Sequence, residues 1–257
     1  MPNTLKHTTF LAALALSIFG GVVSSNAQSE NNAEKMSFFI TSDGAGDGAN
    51  FGGLEGADAH CATLAKSAGS SKTWAAYLST SMVIDRSSGS PKVTDGVSAR
   101  DRSGTGPWYN AKGVMIAKDV DDLQSANVKI NLETGLDENG KAINGRGSKP
   151  NEHDILTGTD SNGYFSTAGG DTTCSNWTSN GKGSAIVGHH DRAGLNKSRN
   201  MISWNSSHGS AGCGEADLPK TGGAGLLYCF ATDSYQICTW AVRPGYRCIS
   251  FSFLMLF

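Results

Sequence analysis

Charge is scarce in this chain. Only 17% of its 257 residues are Asp, Glu, Lys or Arg, below the usual quarter and too few for an acidic or basic disordered tail. Its 21 basic residues stand against 23 acidic ones, and the lack of a basic surplus argues against a nucleic-acid binder. No Gly-x-Ser-x-Gly, His-Glu-x-x-His or phosphate-binding loop occurs, so no enzyme motif stands out. No CxxC pair occurs, which weakens zinc-ribbon and redox readings. There is no internal repeat, and no apolar run reaches the roughly 20 residues of a spanning helix. Glycine, by contrast, is abundant: 33 residues without a G-X-Y period, which excludes collagen and favours a globular fold rich in turns.

What is present begins with an export signal. Lys6 gives a positive start, Phe10 to Val23 is apolar, and Ser25 and Ala27 are the small residues of a cleavage site. Residues 1–27 are therefore expected to be a signal peptide and 28–36 a polar, flexible leader. Losing Lys6 takes the formal charge from −2 to −3. The expected location is secreted or periplasmic, without a membrane span. All six cysteines (61, 174, 213, 229, 238 and 248) follow the signal. An even number in an exported chain points to disulfides, with their pairing left open by the residues alone.

The pattern of elements is α+β. Phe38 to Thr41 is a short apolar run and a first strand. Leu54, Ala57, Cys61, Leu64 and Ala68 recur at helical spacing until Gly69, so 55–68 is an amphipathic helix. Trp74 to Leu78, Val114 to Ala117, Ser184 to Val187 and Met201 to Trp204 are strand candidates. Leu226 to Ala231 is a continuous apolar run, as expected for a buried central strand. Residues 85–112 and 133–153 are loop-like, with turn signals such as Asn139-Gly140 and Asn144-Gly145. Beyond Asp233 the chain is aromatic and nearly uncharged. The stretch 234–257 is expected to be an apolar extension with a hairpin about Arg243-Pro244-Gly245, which a Cys238–Cys248 disulfide could close.

Three segments carry a family resemblance. They are Gly52 to Ser81, with Gly-Ala-Asp before a helical cysteine; Asp160-Ser161-Asn162-Gly163 followed by Cys174-Ser175-Asn176-Trp177; and Trp204-Asn205 followed by Cys213 and Leu227-Tyr228-Cys229-Phe230. Together they resemble the endostatin-type and bacterial lectin-like branch of the C-type lectin-like superfamily, over about 37–233. The resemblance implies a single domain with one main N-terminal helix, short antiparallel strands and long loops. It also implies nested disulfides, Cys61–Cys229 outside and Cys174–Cys213 inside. It does not bring a sugar site with it. The Trp-Asn-Asp strand of calcium-dependent lectins is Trp204-Asn205-Ser206 here, and the N-terminal zinc histidines of endostatin have no counterpart in 28–40.

Candidate site residues fall into two groups. Trp108, Tyr109 and Asn110 follow a Gly-Pro turn, and with Asn205 they could grip a sugar, the ring covering C–H groups and the amides taking hydroxyls. Trp177 and Trp204 are assigned to the core. His189, His190 and Asp191, with His153 and Asp154, are the densest set of metal donors. Adjacent histidines cannot readily aim both rings at one ion, and loop and turn residues hydrogen-bonded to backbone are the preferred reading of the set. His208, before Gly209, is assigned to a turn. No motif demands a cofactor; Ca²⁺ is the ion that the oxygen-rich turns at Asp43–Asn50, Asp137–Asn139 and Asp160–Asn162 could take, although none has EF-hand spacing.

The expected function is an exported, non-catalytic binding protein. Its ligand would be carbohydrate or another cell-surface molecule, held by loops between residues 85 and 225. An adhesion module with extracellular protein partners is the alternative, ahead of a metal-dependent enzyme using His153, His189 and His190.

Overall fold

The apolar run near the end of the domain becomes the spine of the sheet. The computed structural model describes residues 33–167 and 170–232, with the backbone of two further strands at Cys238–Trp240 and Tyr246–Cys248. The spine strand, Gly223–Ala231, follows β1 (Phe38–Ile40), β2 (Trp74–Ala76), β3 (Val83–Asp85), β4 (Lys92–Thr94), β5 (Trp108–Tyr109), β6 (Met115–Ala117), β7 (Asp154–Leu156), β8 (Ile186–His189) and β9 (His208–Gly209) in the chain, and is β10. The helices are α1 (Gly53–Ser67), α2 (Ala99–Arg102) and α3 (Val120–Leu123). The main sheet has the order β1-β10-β7-β8-β9, and β2 also pairs with β10.

Strand alternation divides the core in two. Phe38 and Ile40 of β1, with Tyr228 and Phe230 of β10, point to one face, where they meet Tyr77, Trp108, Ile116 and Leu123. Phe39, with Leu227, Cys229 and Ala231, points to the other, against Ala57, Cys61 and Ala65 of α1. A strand covered on both faces has no polar side to show, which is why β10 is a continuous apolar run. The expected helix is borne out as α1, and its small buried residues let it lie close on β2. Asp58, from the Gly-Ala-Asp segment, accepts from the Ala76 N–H at 2.8 Å and from Arg102 at 2.6 Å, tying α1, β2 and α2 together.

Both nested disulfides are formed, Cys61–Cys229 and Cys174–Cys213. The α+β class, with short strands and long loops, is as expected. β7 pairs with β10 in parallel, however, where only antiparallel neighbours were expected. The loop assigned to 85–112 contains α2, β5 and an exposed hairpin of β3 and β4, whose Val83, Ile84 and Val93 lie on the surface. The Met201–Trp204 strand is instead a 3₁₀ turn at Asn200–Ile202, because the chain must cross over Gly188 here. A Cβ on Gly188 would fall 1.8 Å from the Trp204 carbonyl oxygen.

Residues 33–35, assigned to the leader, form a helical turn, and Met36 is buried. Residues 1–32, which include the stretch expected to be a signal peptide, lie outside the described residues. The backbone strands β11 (Cys238–Trp240) and β12 (Tyr246–Cys248) pair antiparallel with Cys238 opposite Cys248; a disulfide between them and the rest of 234–257 lie outside the described residues. Among those described, no helix is long and apolar enough to cross a membrane.

The two disulfides close loops of very different size, 168 and 39 residues. In the chain-entropy model, removing Cys61–Cys229 by paired Cys→Ala substitution costs about 5 kcal/mol and removing Cys174–Cys213 about 4 kcal/mol. Urea unfolding of the two double variants checks both size and order.

Candidate functional site

The polar end of the sheet, away from α1, gathers the histidines. β7 and β8 run antiparallel with Asp154 directly opposite His189, and β8 and β9 place His208 opposite Val187. Residues two apart on a strand share a face, so Asp154, His189 and His208 all project to the same side. His153 stands one residue before β7 and turns its ring onto His189; the two are stacked with centroids 4.3 Å apart and planes 18° apart. The His208 ring meets His189 edge-on at 5.0 Å.

Distances within the cluster are short. Asp154 Oδ1 lies 3.2 Å from His153 Nε2, 3.2 Å from His189 Nε2 and 3.6 Å from His208 Nε2. His189 Nε2 and His208 Nε2 are 3.0 Å apart. Asp154 is fully buried, His153 and His189 are nearly so, and the His208 side chain is 28% exposed. Both carboxylate oxygens of Asp154 lack a hydrogen-bond donor. His153, Asp154 and His189 have the donor types and spacing to hold a metal ion.

Two further expected residues sit behind this group. His190, the next residue after His189, faces the other way, as strand alternation requires. Its Nε2 meets the Asn144 carbonyl at 3.2 Å, and burial pulls its pKa down. Asp191 lies 3.4 Å from His153 Nδ1 and accepts the backbone N–H groups of Arg146 and Ala193. Burial alone would raise its pKa, but the His153 contact and those N–H groups outweigh it and hold the carboxyl at about 2. Burial also works against the His189 imidazolium, yet the Asp154 carboxylate, the Met201 carbonyl and the Asp191 charge keep it above its ordinary value.

Beside the cluster lies an open depression of about 400 Å³ lined by Asp160, Ser161, Ile186, Asn200, Ser206, Ser207, His208 and Gly209. His208 forms part of its wall and part of the cluster. The Ser161 and Ser206 hydroxyls and the Asn200 amide make no hydrogen bond within the described residues, so they are available to a ligand.

The expected aromatic platform is not one. Trp108 is 1% exposed. Its indole N–H donates to the Ser103 and Ala231 carbonyls, and its ring packs edge-on against Phe230. Asn110 is buried and organises the Asn110–Val114 turn. Tyr109 is half-buried under the Lys35 ammonium. Asn205 is buried too, donating to Tyr77 and Gln124 inside the core. Trp108, Asn110 and Asn205 are turned inward and Tyr109 lies under Lys35, and none of the four lines the depression. Two of the turns weighed for Ca²⁺ use their oxygens on their own backbone, Asp137 accepting from Asn139 and Lys141 and Asp160 from Asn162 and Tyr164; in the third, Asp47 accepts from the side-chain amides of Asn50 and Asn180. His208 was missed because its signal is only its distance in space from β8, which one sequence does not display.

No protein-family description matches the chain, and no curated protein matches it either. The class that fold and site define is a disulfide-bonded α+β domain with a buried histidine–aspartate cluster beside a polar depression.

If Trp108 is core, Trp108→Phe removes a donor from two buried carbonyls and lowers unfolding stability by about 2–3 kcal/mol. Chemical denaturation measures that loss, while ligand capture by the folded variant stays at the wild-type level.

Proposed function

We propose that the protein is an exported, non-catalytic binding protein of C-type lectin-like architecture that recognises a hydroxyl-rich ligand, carbohydrate or another cell-surface molecule. One observation carries the reading: the open depression ringed by uncommitted hydroxyl and amide groups at Ser161, Asn200 and Ser206. Sugars are gripped by such groups because each ring hydroxyl both donates and accepts. The two disulfides and the absence, among the described residues, of a helix long and apolar enough to cross a membrane fit a protein working outside the cytoplasm. The depression is shallow, and although Ser207 Oγ in its lining lies 3.3 Å from His189 Nδ1, that nitrogen faces the Met201 carbonyl oxygen at 2.8 Å and is committed as a donor rather than free as a base, which favours recognition over turnover.

The test is a glycan-array screen of the oxidised chain, repeated with the Asn200→Ala/Ser206→Ala double variant. Wild type is expected to capture a defined set of glycans. The variant should bind the same set about 10-fold more weakly or worse, at about 1 kcal/mol for each lost hydrogen bond. Binding unchanged in the variant would move the site elsewhere, and an array without signal would leave the adhesion-module reading in its place.

A further inference from the structure

Four side chains of the cluster are arranged around a point that wants a cation. We propose that His153, Asp154, His189 and His208 form a tetrahedral site for a Zn²⁺-class ion, through His153 Nε2, Asp154 Oδ1, His189 Nε2 and His208 Nε2.

The argument starts from where the protons are. His189 Nδ1 lies 2.8 Å from the Met201 carbonyl oxygen. His208 Nδ1 lies 3.1 Å from the Gly209 carbonyl oxygen. His153 Nδ1 lies 3.4 Å from Asp191 Oδ1. A carbonyl or carboxylate oxygen can only accept, so each Nδ1 carries the hydrogen and donates it. Each neutral ring then has its lone pair on Nε2. Those three lone pairs converge with a carboxylate oxygen, and without something positive between them four acceptors face one another.

A shared proton answers this only in part. One proton satisfies one pair of atoms, whereas both oxygens of the buried Asp154 are without a donor. A buried carboxylate in that state is costly, and metal coordination is one of the two ordinary remedies. A cation satisfies all four donors at once.

The dimensions fit. Zn–N and Zn–O bonds are about 2.0–2.1 Å, so neighbouring ligand atoms of a tetrahedral site stand about 3.3 Å apart. Four of the six separations are 3.0, 3.2, 3.2 and 3.6 Å, three of them to Asp154 Oδ1 and one between His189 and His208; His153, Asp154 and His189 form the mutually close donor group, and His208 joins it through Asp154 and His189. Three imidazoles and one carboxylate are a Zn²⁺-type donor set; Ca²⁺ and Mg²⁺ take oxygen ligands.

The surroundings are also those of a metal site. Each ring has its own acceptor behind it, which fixes tautomer and orientation. On the near side the backbone is kept bare. Gly222 has φ +106°, and a Cβ there would come within 2.7 Å of the His153 ring carbon Cδ2 and 3.0 Å of its Nε2. Four protein donors leave no open coordination position, the mark of a structural rather than a catalytic ion. The ion would join the start of β7, the end of β8 and the edge strand β9. This assignment is independent of what the depression binds.

The test uses the full oxidised chain, stripped with chelator and then dialysed against Zn²⁺ or Co²⁺. Elemental analysis is expected to return one Zn²⁺ per chain, and the Co²⁺ form should show the intense visible absorption of tetrahedral cobalt. His208→Ala and Asp154→Asn should lose more than nine-tenths of the bound metal under the same dialysis. Asp191→Asn, which alters the acceptor behind His153 and its backbone contacts to Arg146 and Ala193 but none of the four ligands, should weaken metal binding about 10–100-fold. His190→Ala, whose ring faces away, should keep full stoichiometry. To keep the test independent of the folding of the ligand variants, wild type is also melted with and without Zn²⁺, and a reversible rise in Tm on adding metal is expected. Wild type holding less than a tenth of an equivalent, cobalt with only the pale octahedral spectrum, or equal binding by the His208 variant would overturn the assignment. A metal-loaded protein that captures no glycan would sink the ligand reading alone.

Discussion

The burial of β10 on both faces is the constraint on which the rest of the structure depends. Nine residues from Gly223 to Ala231 run between α1 and the second aromatic cluster, so each side chain must find an apolar neighbour. That demand places Phe38 and Phe39 on opposite sides of β1. It brings Cys229 under Cys61, since residues 227, 229 and 231 share the helix face. It also sets the polar end. Gly223 lies opposite Asp154 in the parallel pairing with β7, so the point where β10 begins, next to Gly222, is where the histidine cluster forms. Hydrophobic burial of this strand and placement of the polar cluster are one geometric fact.

A domain of this sort must explain each charged group it buries. Burial of an unpaired carboxylate costs several kcal/mol, and removing its partners costs more than the pair is worth. Asp137 meets the requirement with the Asn139 and Lys141 N–H groups. Asp191 meets it with two backbone N–H groups and His153. Glu138 meets it with Ser42 and Asn139. Asp154 is the exception, with both oxygens undonated amid three imidazole nitrogens. The contrast with its neighbours separates a carboxylate used to hold backbone from one reserved for something positive.

Sequence carried the apolar skeleton well and the polar geometry poorly. The β1 and β10 runs, and the 3.6 spacing of Ala57 and Cys61, are local patterns, and local patterns are legible. The two disulfide pairs came with the family resemblance and are formed. Trp108 was misplaced because a Gly-Pro turn before an aromatic says nothing about which way the next strand faces; β5 turns it onto Phe230. The histidines were half legible. His153, Asp154, His189 and Asp191 stood out by density, and strand alternation sorts His189 from His190 once β8 is known. His208 could not be added without the register of β8 and β9, which sets His208 opposite Val187 and depends on the crossing at Gly188.

The staples of this fold divide the molecule between them. Cys61–Cys229 holds the helix to the spine, and Cys174–Cys213 fastens the left-handed turn at Cys174–Trp177 to the loop before β10. Neither reaches the other end of the sheet, where β9 is two residues long and the chain between His189 and His208 carries exposed Leu195, Lys197 and Arg199. So short an edge strand, with little apolar surface to bury, is the weakest part of a sheet. An ion bound by His153, Asp154, His189 and His208 would fasten that part to β7 and β8. The wall of the depression that carries His208 would then be rigid before any ligand arrives, and a preformed wall lowers the ordering cost that a loop-built binding site otherwise incurs.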